Sequence, residues 1–114
     1  MKNIHGNLLR GHLEGMVLSV LERGEGHGYD VLKRLQDLGQ GALELKEGSL
    51  YPALYRMEEA GLIRARWESD TAKRRGPRRR IYALTEKGRK ELTRSRETWR
   101  AFTGVVGRIM EEPT

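Results

Sequence analysis

Apolar positions in the first third of the chain recur at the helical period. From Leu8 to Glu22, the residues Leu9, Leu13, Met16, Val17, Val20 and Leu21 fall at i, i+4, i+7, i+8, i+11 and i+12, one stripe of a helix turned toward a core. Arg23 and Gly24 end it. A short turn, Glu25 to Gly28, leads into a second helix in which Tyr29, Leu32, Leu35 and Leu38 recur every three residues until Gly39. Beyond the loop Gly39-Gln40-Gly41 and the stretch Leu43 to Gly48, Ser49 reads as the N-cap of a third helix. Pro52 then falls in the first turn, where a missing N–H does no harm, and Leu50, Leu54 and Met57 form the buried edge until Gly61 stops the helix. Its opposite edge is Pro52, Tyr55, Arg56 and Glu59.

After Gly61 the period changes from helix to strand. Ile63, Ala65 and Trp67 alternate with Arg64, Arg66 and Glu68, and Ile81-Tyr82-Ala83-Leu84 is a second β-favouring run, so the two pair as a hairpin. Their eleven-residue connection, Ser69 to Arg79, is polar, contains Gly76-Pro77 and is expected to project as a flexible arm. Thr85 caps a last helix in which Leu92, Trp99, Phe102, Val106 and Ile109 follow 7, 3, 4 and 3 spacing, with Val105 and Met110 widening the seam and Pro113 ending it. Gly104 and Gly107 lie inside that helix, each at a cost of about 1 kcal/mol relative to alanine. A stripe on a helix that follows a filled core needs another surface, and a second copy of the chain supplies one.

Composition narrows the function. At 114 residues and 37% hydrophobic the chain has material for one small core. Its net charge of +6 sits in one place: Arg64 to Arg80 contains eight basic and two acidic residues, and the remainder is neutral. A polyanionic partner fits that balance. Cysteine is absent, which removes disulfides, thiolate metal sites and a cysteine nucleophile and suits a reducing compartment. Apolar runs such as Met16-Val17-Leu18 are far too short for a signal peptide or membrane span, so no membrane partner is expected. His5, His12 and His27 show no metal-ligand spacing, no nucleophile stands beside a base, and neither Gly24 to Gly28 nor Gly39 to Gly41 matches a phosphate loop. No catalytic residue, cofactor or metal is expected, and His27 reads as a cap for the second helix.

The expected fold class is mainly α with a small β-hairpin: a winged helix-turn-helix over residues 1–84, followed by a C-terminal dimerisation helix over 85–114. In that arrangement the third helix enters the major groove of double-stranded DNA and the wing reaches the backbone or minor groove. Lys46, Ser49 and Tyr51, at the start of the third helix, suit a phosphate, with Tyr29 nearby; Pro52, Tyr55 and Arg56 face base edges. Lys73, Arg74, Arg75, Arg78 and Arg79 supply the wing. Plainer readings stand beside these: Ser49 as an ordinary cap, Tyr51 packed against the second helix, and the charge run as a solvated loop.

His27-Gly28-Tyr29, the stretch Leu43 to Ile63 containing GSLYPALYRMEEAGLI, Arg75 to Thr85, and Lys87-Gly88 resemble the PadR family of bacterial transcriptional regulators, from about Leu8 to Ile109. The resemblance implies a cytoplasmic homodimeric repressor on a pseudo-palindromic operator with half-sites such as ATGT and ACAT. It also implies membership of the small subfamily that has a single C-terminal helix. Leu92, Trp99, Phe102, Val106 and Ile109 would then form the dimer interface. In such dimers a tryptophan at the place of Trp99 lines a cavity where a small aromatic or hydrophobic effector stacks; packing alone is the competing role. The alternative function is a basic adaptor that binds nucleic acid or a protein without responding to an effector.

Overall fold

The computed structural model describes residues 4–69 and 76–111. Its elements are α1 (Gly6–Glu22), β1 (Gly26–His27), α2 (Gly28–Leu38), α3 (Glu47–Glu59), β2 (Ile63–Trp67), β3 (Arg80–Leu84) and α4 (Glu86–Met110). The hairpin forms as the alternation predicts, with Ile63 opposite Leu84 and Trp67 opposite Arg80. The turn predicted at Glu25 to Gly28 contains a strand as well. Gly26 and His27 pair antiparallel with Tyr82 and Ile81, making a three-stranded sheet in the order β1-β3-β2.

The core lies where α1, α2 and α3 meet the sheet. Leu9, Leu13, Val17, Val20 and Leu21 of α1 are buried, joined by Leu18, while Met16 packs at the margin. The stripe predicted for α2 is corrected at both ends: Tyr29 and Leu38 are 53% and 52% exposed, and Val31 is buried instead. Steps of three residues drift backward by about 60° each around an α-helix, so Tyr29 and Leu38 lie half a turn apart and only the middle of that series faces inward. The chain before α1 is tied down too, because the Ile4 N–H donates to the Ala42 carbonyl and the Glu44 N–H to that of Ile4.

α3 starts two residues before the predicted cap. Lys46 is the extended N-cap, and the N–H groups of Ser49 and Leu50 both donate to its carbonyl, so Ser49 lies in the first turn and caps nothing. Pro52 accordingly sits inside the helix, exposed, and offers no N–H to the Gly48 carbonyl. Leu50, Ala53, Leu54 and Met57 are fully buried. At the far end Leu62 N–H bonds to the Met57 carbonyl and Gly61 N–H to that of Glu58, with Gly61 at φ +77°, a left-handed terminus that glycine enters without strain.

That terminus is joined to the start of α4. Thr85 Oγ1 accepts from Gly88 N–H as predicted and also donates toward the carbonyls of Gly61 (2.7 Å) and Leu62 (3.0 Å), while Lys87 Nζ reaches the carbonyl of Ala60 (2.7 Å). α4 then runs along α1: Ser95 packs on Gly15, and Arg96 bonds Glu22 at 2.9 Å. The Arg96 guanidinium holds the Glu22 carboxyl below its usual range, so this link is complete above the ordinary carboxylate range and is lost in acid. Leu92 is only 2% exposed and belongs to its own chain's core, which corrects its assignment to a subunit interface. The helix continues through Gly104 and Gly107 to Met110; Pro113 lies outside the described residues.

Two glycines separate tolerance from clash. A Cβ at Gly88 would stand 2.1 Å from the Leu62 carbonyl oxygen, so backbone must move; one at Gly28 would meet the Tyr51 ring at 2.5 Å, and that half-exposed ring can swing outward. Gly88→Ala is expected to destabilise by about 1–3 kcal/mol or more, and Gly28→Ala by less than about 1 kcal/mol. Chemical denaturation decides; equal midpoints for both variants would contradict the rigid α3–α4 junction.

Candidate nucleic-acid interface

Burial of one stripe of α3 leaves the other to solvent. Pro52, Tyr55, Arg56 and Glu59 are all exposed, as the 3.6-residue period requires. Arg56 pairs loosely with Glu14 of α1 at 3.9 Å, an exposed pair that costs little to exchange for another acceptor. Tyr55 is 66% exposed. An arginine on such an edge suits the two acceptors of guanine, and the Pro52 ring suits an apolar contact.

The start of α3 presents Lys46, Glu47, Gly48 and Ser49 outward. Because Ser49 N–H is already bonded to Lys46, the open amide end of the helix lies at Glu47 and Gly48 rather than beyond Ser49. Tyr51 leans over Gly28 at the start of α2, as its plainer reading has it, yet keeps part of its surface exposed. Burial there, and secondarily the charge of Glu47, push its phenol above the ordinary range while Arg79 pulls the other way. The ring therefore keeps its proton well into alkali and can donate a hydrogen bond.

His27 caps α2, as expected: its Nδ1 accepts from Asp30 N–H at 3.1 Å, and the Asp30 carboxylate accepts from His27 N–H at 3.3 Å. Tyr29 stacks loosely beside it, ring centroids 6.4 Å apart. The Arg79 guanidinium lies 2.5 Å from Nε2 of the same ring. Tyr29, Tyr51 and Arg79 thus gather at the start of α2, next to the open end of α3.

The end of the hairpin from which the basic loop departs carries further basic groups. Arg78 donates through Nε to the Glu68 carbonyl at 3.1 Å, and the Glu68 carboxylate accepts from Arg79 N–H at 3.1 Å. Both side chains remain exposed. Lys73, Arg74 and Arg75 lie outside the described residues. Sequence reasoning did not single out three partners that structure brings in: Glu25, which bonds Arg66 at 2.5 Å; Arg34, which holds the carbonyls of Gly24 and Glu25; and Glu58, which bonds Arg80. Each is an ordinary charged residue in sequence, and no local spacing marks contacts that β1 and the return of β3 create.

Among the described residues no helix is long and apolar enough to cross a membrane. The family model described as "Transcriptional regulator PadR-like family" matches residues 17–94. A transcriptional regulator from Clostridium thermocellum is 26% identical with a TM-score of 0.84, covering 93% of this chain and 100% of that one. A PadR-like regulator from Bacillus cereus is 29% identical with a TM-score of 0.79, covering 95% and 100%. Transcriptional regulator YqjI of Escherichia coli is 36% identical over 87 residues, which are 76% of this chain but 39% of that protein. The family is one of regulators rather than enzymes, and its match runs from the middle of α1 through both strands of the wing into α4. With its exposed α3 edge, its basic hairpin and these relatives, the chain belongs to the PadR-like family of winged-helix, DNA-binding transcriptional regulators.

Proposed function

We propose that this chain is a cytoplasmic repressor that binds a pseudo-palindromic operator as a homodimer and is released by a small aromatic or hydrophobic compound held between the subunits. One observation carries the dimer: Trp99, Phe102, Val105, Ile109 and Met110 leave an apolar strip exposed on the last turns of α4, Ile109 and Met110 at 77% each. Strips of this kind on soluble proteins mark association surfaces. Residues 1–84 then serve DNA and 85–114 serve assembly, with the turns up to Leu92 shared with the core. Two copies related by a two-fold axis place their α3 edges in half-sites about one DNA turn apart, or a multiple of it.

Trp99 is the proposed effector contact. Its ring makes a T-shaped contact with His12 of α1, centroids 5.1 Å apart and planes at 72°, and half of its surface stays exposed for a flat ligand or the partner.

On DNA, α3 is proposed to supply preference and the wing affinity. Tyr55→Ala and Arg56→Ala should each weaken binding by about 1–3 kcal/mol to a duplex that the parent protein enriches from a random library, and should relax base preference. Arg78→Ala with Arg79→Ala should weaken the enriched and a scrambled duplex alike and flatten the log–log salt slope by about one unit per lost phosphate contact. Anisotropy titrations across salt read both. Full binding by folded α3 variants would put the wrong face in the groove, and equal affinity for enriched duplex, scrambled duplex and single-stranded RNA would favour the adaptor.

Phe102→Asp with Val106→Asp places two charges in the proposed seam, at a cost of several kcal/mol, about enough to separate subunits at working concentration. Light scattering should report a smaller species with helical circular dichroism retained, specific DNA binding lost, and the response of Trp99 emission to flat aromatic compounds abolished. A double variant that still sizes as a dimer would place the subunit contact elsewhere.

A further inference from the structure

Between α3 and the inner face of the hairpin lies a groove of about 430 Å³ lined by Tyr51, Tyr55, Glu58, Glu59, Arg80 and Tyr82. A salt bridge belongs to it. Arg80 Nη2 donates to Glu58 Oε2 at 2.8 Å, with the two side chains 35% and 34% exposed. Arg80 opens β3 and stands directly across from Trp67, the last residue of β2, with its guanidinium 5.2 Å from the Trp67 ring centroid. Glu58 lies in the last turn of α3.

α3 and the hairpin are joined at the Gly61 turn, where Gly61 and Leu62 meet Thr85, and through the core, which takes in Leu62, Ile63, Leu84 and, midway along the hairpin, Tyr82 with Ala65 packed against it. At the end where the basic loop departs, Arg66 and Arg79 tie the hairpin to Glu25 and His27, beside the start of α2, and leave its spacing from α3 to another contact. The Arg80 side chain reaches back from the end where the basic loop departs and makes a second fastening point, stiffened by the indole beside it. Arg80 is also less exposed than the neighbouring Arg78 and Arg79.

We propose that Glu58 and Arg80 are positioning residues that set the angle between the wing and α3, so that Arg80, though part of the basic run, serves the recognition helix and not a phosphate. The proposal rests on the DNA-binding reading above. Simple electrostatics makes the opposite forecast: Glu58 is a carboxylate beside a surface that approaches a polyanion, and its removal should tighten binding to any duplex. Positioning requires that its removal weaken binding to the preferred one.

Glu58→Gln and Arg80→Gln, singly and together, test this by anisotropy against the duplex enriched by the parent protein and against its scrambled counterpart. Each single variant should lose about tenfold on the enriched duplex, and the double variant no more than about the larger single loss, because the first change already breaks the link. On scrambled duplex Glu58→Gln should bind as tightly as the parent or more so, and thermal melts should remain cooperative. A Glu58→Gln variant that matches or exceeds the parent on the enriched duplex, or additive losses in the double variant, overturns the proposal while leaving the DNA-binding reading intact. Failure of the parent to enrich any duplex overturns both.

Discussion

Leu50, Ala53, Leu54 and Met57 have no solvent-exposed surface, and their burial decides how α3 is rotated about its own axis. Burying a large aliphatic side chain is worth roughly 1.5–3 kcal/mol, so these residues together outweigh any single polar contact that α3 makes. A turn of one residue would carry the stripe about 100° away from the core. Because that rotation is closed to it, Pro52, Tyr55, Arg56 and Glu59 face outward. The outward edge follows from the inward one, and the hairpin and α4 are then arranged around the helix so fixed. Gly61 allows the chain to reverse directly at its end, and Thr85 and Lys87 take up the carbonyls that the end leaves open.

Much of this was legible in the sequence, for identifiable reasons. α1, the buried edge of α3, the hairpin and the long α4 all show a sustained period, and Thr85 is a cap that acts as one. β1 is two residues long, and no alternation exists within two residues. The α2 stripe misled because three-residue spacing drifts round a helix, and the α3 start misled because a serine three residues before a proline imitates a cap. Leu92 shares a seam in sequence with Trp99 yet falls in the turns of α4 that cover the core. The exposed edge of α3 was legible from its period. The link from Arg79 to His27 was not, because 52 residues separate the two and only the pairing of β1 with β3 brings them together.

The basic run is less uniform in three dimensions than in one. Arg66 is engaged by Glu25, Arg80 by Glu58 and Trp67, and Arg79 by the cap of α2. These contacts order the end of the hairpin nearest the basic loop at the expense of the charge it offers freely. They also join the wing to the start of α2 on one side and to the end of α3 on the other, so the basic hairpin and the exposed edge of α3 share one foundation.

The narrow sheet carries a further consequence. β3 is covered on both sides, which leaves β1 and β2 as its margins. Unpaired strand margins invite strands from other chains and are a common start of aggregation. β1 offers only two residues, too few to template a partner, and β2 carries Arg64 and Arg66 along its length. Like charges directly opposed across a new pair of strands would repel. The arginines of β2 therefore guard solubility, keeping the sheet three strands wide even when copies crowd together.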